Sequence, residues 1–444
     1  MAQQGKGEEI HVCNTETPLV QNDDRDDLPN HLLTALLCSI SLILGVVQTL
    51  PISILVPESV DLGLTLGQSL FIVSSRPASS LLVLFLQPFM NRLNVRVYLI
   101  STALVSCLGF ASFYFSVHHS RSTYLYVSIV ARFITGTALY LINNKTVVGI
   151  TNHLRGNVTT STTLWETFFS LGGAAGAAVG SLVDTSIGFP LTMVVAGLIL
   201  LINVLILTCI FPSPPGHVEK IESGLSYRRV LGLSLTVDML VYCWIPMICV
   251  GGGLNYAEGI ATEFYRTDYS KSIRFGGFLQ LEFVLVYSIT AVIIGVFRDK
   301  WPILKIIGLF VGMFGCSLVF PFLGPIEYVS PPSVPKIVVS TSAFNLLMVF
   351  FCAVMLSSVT ISALTLSKRL PTDEATSLAV NAVNVAYAVG SIIGPIIGGQ
   401  LLLKYSYSTV WATGTPFYIL GAVLVGAYAF EQYRKDELTL TEQL

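Results

Sequence analysis

Two glycine-rich stretches of identical spacing decide the fold of this chain. The first reads Gly172-Gly-Ala-Ala-Gly176-Ala-Ala-Val-Gly180-Ser181, and the second reads Gly390-Ser-Ile-Ile-Gly394-Pro-Ile-Ile-Gly398-Gly399, at a constant offset of 218 residues. Glycines four residues apart share one helix face, and in lipid such a face lets another backbone approach closely. The recurrence predicts two homologous halves, each held together by one glycine-rich packing helix.

The composition places these halves in a membrane. The chain has 444 residues, of which 53% are hydrophobic and 11% charged, whereas soluble domains carry about 25% charged residues. A membrane helix needs roughly 20 mostly apolar residues. Twelve runs meet this requirement: 31–55, 69–90, 97–117, 124–148, 158–183, 190–212, 230–256, 275–297, 304–324, 338–365, 377–401 and 411–431.

These runs predict an all-α membrane protein with twelve transmembrane helices in two six-helix bundles. The predicted organisation is an N-terminal tail (1–30), a first bundle (31–212), a linker (213–229), a second bundle (230–431) and a C-terminal tail (432–444). With both termini in the cytoplasm, cytoplasmic segments hold fifteen Lys and Arg residues and the opposite side holds six. This excess predicts cytoplasmic termini.

A second repeated motif follows the second helix of each half. Gln87-x-x-x-Asn91-Arg92 corresponds to Gly295-x-x-x-Asp299-Lys300 at an offset of 208. We expect Arg92, Asp299 and Lys300 to make gating contacts between helices at the cytoplasmic rim. Parallel six-helix repeats place a substrate site near the midplane between the halves.

These motifs resemble the major facilitator superfamily, and within it the drug:proton antiporter branch. The loop signature Gly-x-x-x-Asp-Arg/Lys is kept in the second half and degraded in the first. The fourth-helix signature Arg-x-x-x-Gly stands at Arg132 and Gly136, and the fifth-helix signature is the Gly172–Ser181 stretch without its usual proline. Its echo keeps Pro395. The resemblance implies a secondary transporter that works by alternating access.

Shorter stretches resemble the vesicular amine transporter family. They are Ser53-Ile-Leu-Val-Pro57, Trp165-Glu-Thr-Phe168 and Asn384-Val-Ala386. Gln48 and Asn384 stand where the monoamine members carry aspartates, whereas the polyamine-type members are neutral at both positions. The resemblance therefore implies proton-coupled antiport of a small organic cation, an amine or polyamine, across a vesicular or other acidic organelle membrane, with the plasma membrane left open.

Charged residues inside predicted spans are the candidate site. A charge at the bilayer centre costs roughly 2.5–3.5 kcal/mol on insertion scales, so retained charges usually face a cavity or a partner. Glu166 lies eight residues into the fifth run, off the glycine face, and is the candidate proton carrier or amine binder. Its alternative role is a structural ion pair.

Two arginines extend this set. Arg132 is implicated in proton coupling by the resemblance, and pairing with a nearby carboxylate is the compatible alternative. Arg76, in the second run, needs a counter-charge, and Glu282 in the eighth run is one candidate. The seventh run ends at residue 256, so Glu258 flanks it, either at the end of the helix or already in the loop.

Polar neutral residues complete the candidate site. Asn384 and Gln48 are candidates through their aligned positions, and Tyr387 is a candidate cation–π partner. For each of them, contact with a neighbouring helix is the simpler alternative.

The sequence lacks the motifs that are typical of several other functional classes. No Walker-type phosphate loop, His-Glu-x-x-His or Gly-x-Ser-x-Gly motif occurs, and the six histidines are scattered, so we expect no enzyme, metal or cofactor. No basic patch indicates nucleic acid. The expected partners are the bilayer, protons and a small cationic substrate, and we expect a monomer. A carrier of another small solute and a non-transporting receptor or scaffold on the same fold remain the alternatives.

Overall fold

A computed structural model describes residues 30–90, 93–153, 158–210, 232–300, 304–324, 334–370 and 372–442. Within these ranges the chain forms twelve long helical segments and no strand. They are α1 (Asn30–Thr49 continued by Ile52–Asp61), α2 (Leu66–Met90), α3 (Val95–Ser116), α4 (Arg121–His153), α5 (Val158–Ile187), α6 (Phe189–Ile210), α7 (Val237–Met239, a π-helical turn at Leu240–Trp244, and Ile245–Tyr269), α8 (Ile273–Lys300), α9 (Leu304–Leu323), α10 (Lys336–Ser367), α11 (Thr372–Leu402) and α12 (Tyr407–Glu442). The predicted linker 213–229 lies outside the described residues.

The outer surface of the molecule is apolar. Ten helices contain described stretches that are long and apolar enough to cross a bilayer. Large apolar side chains point outward along them; Leu108 is 70% exposed, Phe115 66% and Phe417 65%. An apolar surface of this extent is compatible with lipid rather than with water.

Helix packing repeats between the two halves. In the first half α1 packs on α5, α3 on α6, and α2 on α4; in the second half α7 packs on α11, α9 on α12, and α8 on α10. The halves meet through α2 against α11 and through α5 against α8, which are equivalent pairs under the same six-helix shift. The predicted membrane fold of two six-helix bundles is confirmed.

The glycine stretches lie at the α1–α5 and α7–α11 contacts. A Cβ at Gly172, Gly176 or Gly180 would collide with the main-chain oxygens of Leu42, Val46 and Leu50 on α1. A Cβ at Gly390 or Gly394 would collide with the oxygens of Ile248 and Gly252 on α7, and one at Gly398 with the ring of Tyr256. Pro395 is buried on the same helix. Backbone-to-backbone contact of this kind needs glycine because any side chain would separate the helices.

Helix α7 differs from the sequence prediction. The predicted end at residue 256 is wrong, because the helix continues to Tyr269. Asn255, Glu258 and Glu263 lower the hydropathy of this segment, but Asn255 and Glu263 are buried and Glu258 is half-buried in protein. Apolar run length underestimates a helix whose polar residues face other helices. Helix α12 likewise continues through most of the predicted C-terminal tail, to Glu442.

The two halves close against each other at the end of the molecule opposite the termini, here called the closed end. There Gly67 of α2 lies against Gly399 of α11, at 3.2 Å from a Cβ built on Gly67 to the Gly399 oxygen. Arg274 Nε of α8 donates a hydrogen bond to Thr185 Oγ1 of α5 at 2.8 Å. These contacts join the two bundles at that end.

Candidate functional site

Four charged residues occupy a common depth in the molecule. Arg76, Arg132, Glu258 and Glu282 each lie nine to eleven residues from the closed-end terminus of their helix. At 1.5 Å per residue this is roughly 15 Å, which is half of a 30 Å hydrocarbon core. Four different helices, from both halves, therefore bring charges to the midplane.

Arg76 lies at the crossing of α2, α4 and α1. A Cβ at Gly136 of α4 would come within 3.0 Å of Arg76 Cγ, so this glycine allows α4 to pass close to the arginine. The guanidinium Nη1 donates a long hydrogen bond of 3.4 Å to the main-chain oxygen of Gln48 on α1. Gln48 thus contacts Arg76 through its backbone, and its half-buried side chain makes no described contact with the arginine.

Arg132 is the most enclosed charge of the described residues in the site. Its side chain is 1% exposed, and neither Nε nor Nη1 has a hydrogen-bond partner among the described residues. Arg76, which has the same sign, is in electrostatic range of Arg132, and so is Tyr140. A buried unpaired charge is unfavourable by several kcal/mol, so an anionic or strongly polar partner at this position would be stabilising.

Glu258 supplies the carboxylate of the site, and it lies well inside α7 rather than in the loop that follows. It is surrounded by protein yet only half-buried, so its side chain borders an internal space. Its main-chain oxygen accepts a hydrogen bond from Gln280 Nε2 at 3.0 Å. Its charge interacts with Arg76 from the opposite half, but within the described ranges no ion pair joins the two side chains. A gap wider than an ion pair separates them.

Tyr387 reaches the same space from α11. It is in electrostatic range of Glu258, Arg76 and Tyr140. Asn255 Nδ2, one turn before Glu258 on α7, donates to Tyr387 Oη at 2.9 Å and to Ser391 Oγ at 2.7 Å. The Tyr387 side chain is therefore held against α7 at the edge of the charge cluster.

The suggested pair between Arg76 and Glu282 does not form among the described residues. Glu282 Oε1 accepts a hydrogen bond of 2.5 Å from Asn345 Nδ2 of α10. Helix α8 packs on α10 of its own half, which directs Glu282 towards that helix, and Glu258 is the acid that interacts with Arg76.

Glu166 occupies a different level. It lies 21 residues from the closed-end terminus of α5, about twice the distance of the four midplane charges. Its side chain lies outside the described residues. The adjacent Trp165 donates from Nε1 to Asn143 Oδ1 at 3.1 Å and stacks on Phe169. This aromatic surface lies on α5 nearer the end that carries the termini, and Trp165 precedes Glu166 in the sequence.

Of the remaining sequence candidates, only Asn384 has a described side chain, and it is not part of the charge cluster. Asn384 is exposed on α11. Asp299 and Lys300 end α8 as helical residues whose side chains are not described, and Arg92 lies outside the described ranges. Their gating role therefore stays a prediction.

An ion pair between the halves is missed by sequence reasoning. Arg266 at the end of α7 forms a double hydrogen bond with Asp61 at the end of α1, at 2.7 Å from Nη1 and 2.6 Å from Nη2. Its Nε lies 3.1 Å from Oε2 of Glu263, which is 3% exposed. Apolar run length assigns Arg266 to a loop. The sequence signal that could have indicated this pair is an acid at the end of α1 and a base at the equivalent end of α7.

Comparison with known proteins agrees with the fold. The sequence profile of the Major Facilitator Superfamily matches residues 36–366 and 247–443. No curated protein sequence matches the chain significantly.

Solved structures give the same result at low sequence identity. The nucleoside transporter NupG superposes with a TM-score of 0.66 at 15% identity, covering 89% of this chain and 98% of that one. A point mutant of the same transporter gives a TM-score of 0.69 at 15% identity, covering 89% and 99%. A bacterial homologue of the human lysosomal transporter Spinster, inward-facing and unoccupied, gives 0.66 at 12% identity, covering 91% and 96%. At these identities the likeness concerns the fold.

Proposed function

Because the chain belongs to the major facilitator superfamily, we propose that it is a secondary transporter that exchanges a small organic cation for protons by alternating access. The observation that carries this proposal is Glu258, a half-buried carboxylate at the midplane that faces Arg76 of the other half without pairing to it. A carboxylate held in this way is available to one cation at a time.

Exchange follows from competition for that carboxylate. Ionised Glu258 is attracted to Arg76, which draws α7 and α2 together across the halves. A substrate amine or a proton on Glu258 neutralises the carboxylate and weakens this attraction. Since amine and proton cannot both occupy it, movement of one across the membrane drives the other in the opposite direction.

The aromatic surface of Trp165 and Phe169 supports an organic cation. Aromatic faces attract cations by about 0.5–2 kcal/mol, and Glu166 adds a carboxylate on the same helix. We assign the surface of Trp165 and Phe169 to the first contact with the substrate on the side of the termini, and Glu258 to the substrate-binding position at the midplane. Arg92, Asp299 and Lys300 remain the proposed contacts of the gate on that side.

The proposal includes cytoplasmic termini, an acidic organelle as the energy source and a monomeric carrier. The supporting observation for orientation is the excess of basic residues in segments on the side of the termini. An acid interior would then supply the protons that leave as the amine enters.

The test is uptake into proteoliposomes with an acidic interior. Labelled spermidine, serotonin and acetylcholine are offered to wild type, Glu258→Gln and Glu166→Gln, with and without a protonophore. Asp268→Asn is the matched control, because Asp268 is an exposed acid on the same helix. The proposal requires gradient-dependent uptake of at least one amine, at least tenfold slower in Glu258→Gln and unchanged in the control. It fails if no amine enters faster than into empty liposomes.

A second candidate, transport of an anionic solute, is favoured by the two guanidinium nitrogens of buried Arg132, Nε and Nη1, that have no hydrogen-bond partner among the described residues. With Arg76 beside it, this position could bind a carboxylate or phosphate group. The same liposomes offered labelled glutamate and inorganic phosphate, with uridine as a neutral solute, distinguish the two. Uptake of an anion that is lost in Arg132→Gln, without any amine uptake, would replace the first proposal.

A further inference from the structure

The hydroxyl group of Tyr387 has a defined direction because of its hydrogen-bond partner. Asn255 can only donate to it through Nδ2, so Tyr387 Oη is the acceptor in this contact at 2.9 Å. A phenol that accepts one hydrogen bond still has its own proton to donate. Since the acceptor side faces α7, the O–H bond points away from Asn255.

The amide of Asn255 is itself fixed. Asn255 is 8% exposed, and Nδ2 also donates to Ser391 Oγ at 2.7 Å. The Ser391 hydroxyl proton is in turn donated to the main-chain oxygen of Tyr387 at 2.8 Å. Nδ2 also lies 3.3 Å from the main-chain oxygen of Gly251, which can only accept, so the orientation of the amide is set by its surroundings.

We infer that Asn255 is a positioning residue which directs the Tyr387 O–H into the space shared by Glu258 and Arg76. This inference rests on the proposed function and deepens it. Glu258, Arg76 and Tyr140 are the ionisable groups in that space that interact electrostatically with Tyr387. Of these Glu258 is the acceptor, and the phenol donates to its carboxylate when Arg76 or the substrate amine is not in place.

The consequence is a defined partner for Glu258 during exchange. A carboxylate at the midplane must keep a hydrogen-bond donor whenever its counter-charge departs, because an unsatisfied buried charge is unfavourable. Tyr387 provides that donor from within the same half, since both α7 and α11 belong to the second bundle. Asn255 makes no contact with the substrate and acts only through Tyr387.

A double-mutant cycle tests the inference in transport. Asn255→Leu and Tyr387→Phe are each expected to raise KM for the transported amine five- to tenfold, and the double variant is expected to equal Tyr387→Phe alone. Ser358→Ala is the matched control, because Ser358 also hydrogen-bonds α7, at the main-chain oxygen of Tyr242. Additive effects of the two substitutions would overturn the positioning role.

A second measurement does not depend on any transported substrate. The Raman doublet of tyrosine distinguishes a hydroxyl that accepts from one that donates, and the difference between wild type and Tyr387→Phe isolates this residue. The inference requires a hydroxyl that accepts a hydrogen bond, with or without donating one, and that loses the accepting contribution in Asn255→Leu. A signal that is insensitive to Asn255→Leu overturns it. If no amine is transported but the signal behaves as expected, the proposed function fails and the hydroxyl assignment stands.

Discussion

Arg266 of α7 and Asp61 of α1 join the two bundles through two parallel hydrogen bonds of 2.7 and 2.6 Å. The bridge lies at the closed end, where α2 also meets α11 and α5 meets α8. Alternating access requires the closed end to open, and opening separates these two residues. The bridge therefore stabilises the state seen in this structure.

The first prediction concerns this bridge. Asp61 is 52% exposed, and partly exposed pairs contribute about 0.2–1 kcal/mol, so Asp61→Asn should shift the closed-to-open ratio by a factor of about 1.4 to 5. Accessibility of a cysteine at residue 62 to a membrane-impermeant thiol reagent measures the shift. Arg266→Gln should give at least this shift, because it also removes the contact of 3.1 Å with Glu263. Unchanged accessibility in both single variants would show that other contacts hold this end.

The second prediction concerns the glycine contact of α7 and α11. Gly394→Ala places a Cβ against the backbone of Gly252, and overpacking of this kind costs about 1–3 kcal/mol. Gly232→Ala is the control, since a Cβ there meets nothing within 4 Å. The midpoint of thermal unfolding in detergent should be lowered clearly for Gly394→Ala and left unchanged or raised for Gly232→Ala. Equal stability of the two variants would contradict the close-contact account.

The third prediction separates stability from function at Arg132. Replacing buried ionic groups by well-packed apolar residues stabilises proteins by about 1–4 kcal/mol in favourable cases. Arg132→Met should therefore raise the free energy of unfolding while abolishing uptake in proteoliposomes. Leu139→Met, at a buried apolar position on the same helix, controls for the substitution itself. A destabilised Arg132→Met protein would mean that the guanidinium has a structural partner.

The fourth prediction tests the interaction between the bundles at the midplane. If Glu258 and Arg76 act on each other across the gap, their neutralising substitutions are not independent. Arg76→Gln and Glu258→Gln should each abolish exchange. In the partially active variants Arg76→Lys and Glu258→Asp, the changes in KM should be coupled by more than about 0.5 kcal/mol. Glu282→Asp, whose partner is Asn345, should show no coupling to Arg76→Lys.

Sequence reasoning recovers the features that are encoded by repetition along the chain. Run length and composition suffice for the helices because lipid demands about 20 apolar residues from every span. The packing role of Gly172 and Gly390 can be predicted because a close helix contact tolerates no other residue type.

Contacts between helices that are far apart in the sequence cannot be predicted from run length and repeats. Run length leaves Glu258 outside the seventh span because polar residues that face protein shorten the apolar run just as a helix end does. Arg266 and Asp61 are 205 residues apart, and Asn255 becomes informative only when Tyr387 is seen beside it. Which charges share a depth is a property of packing rather than of local pattern.

The central claim is that a proton and the substrate cation compete for Glu258. Proton release on substrate binding tests it most directly, measured with a pH indicator in weakly buffered detergent solution as the transported amine is added. The account predicts release from wild type and from Asp268→Asn, and none from Glu258→Gln. Undiminished release from Glu258→Gln, with the amine still bound, would contradict it.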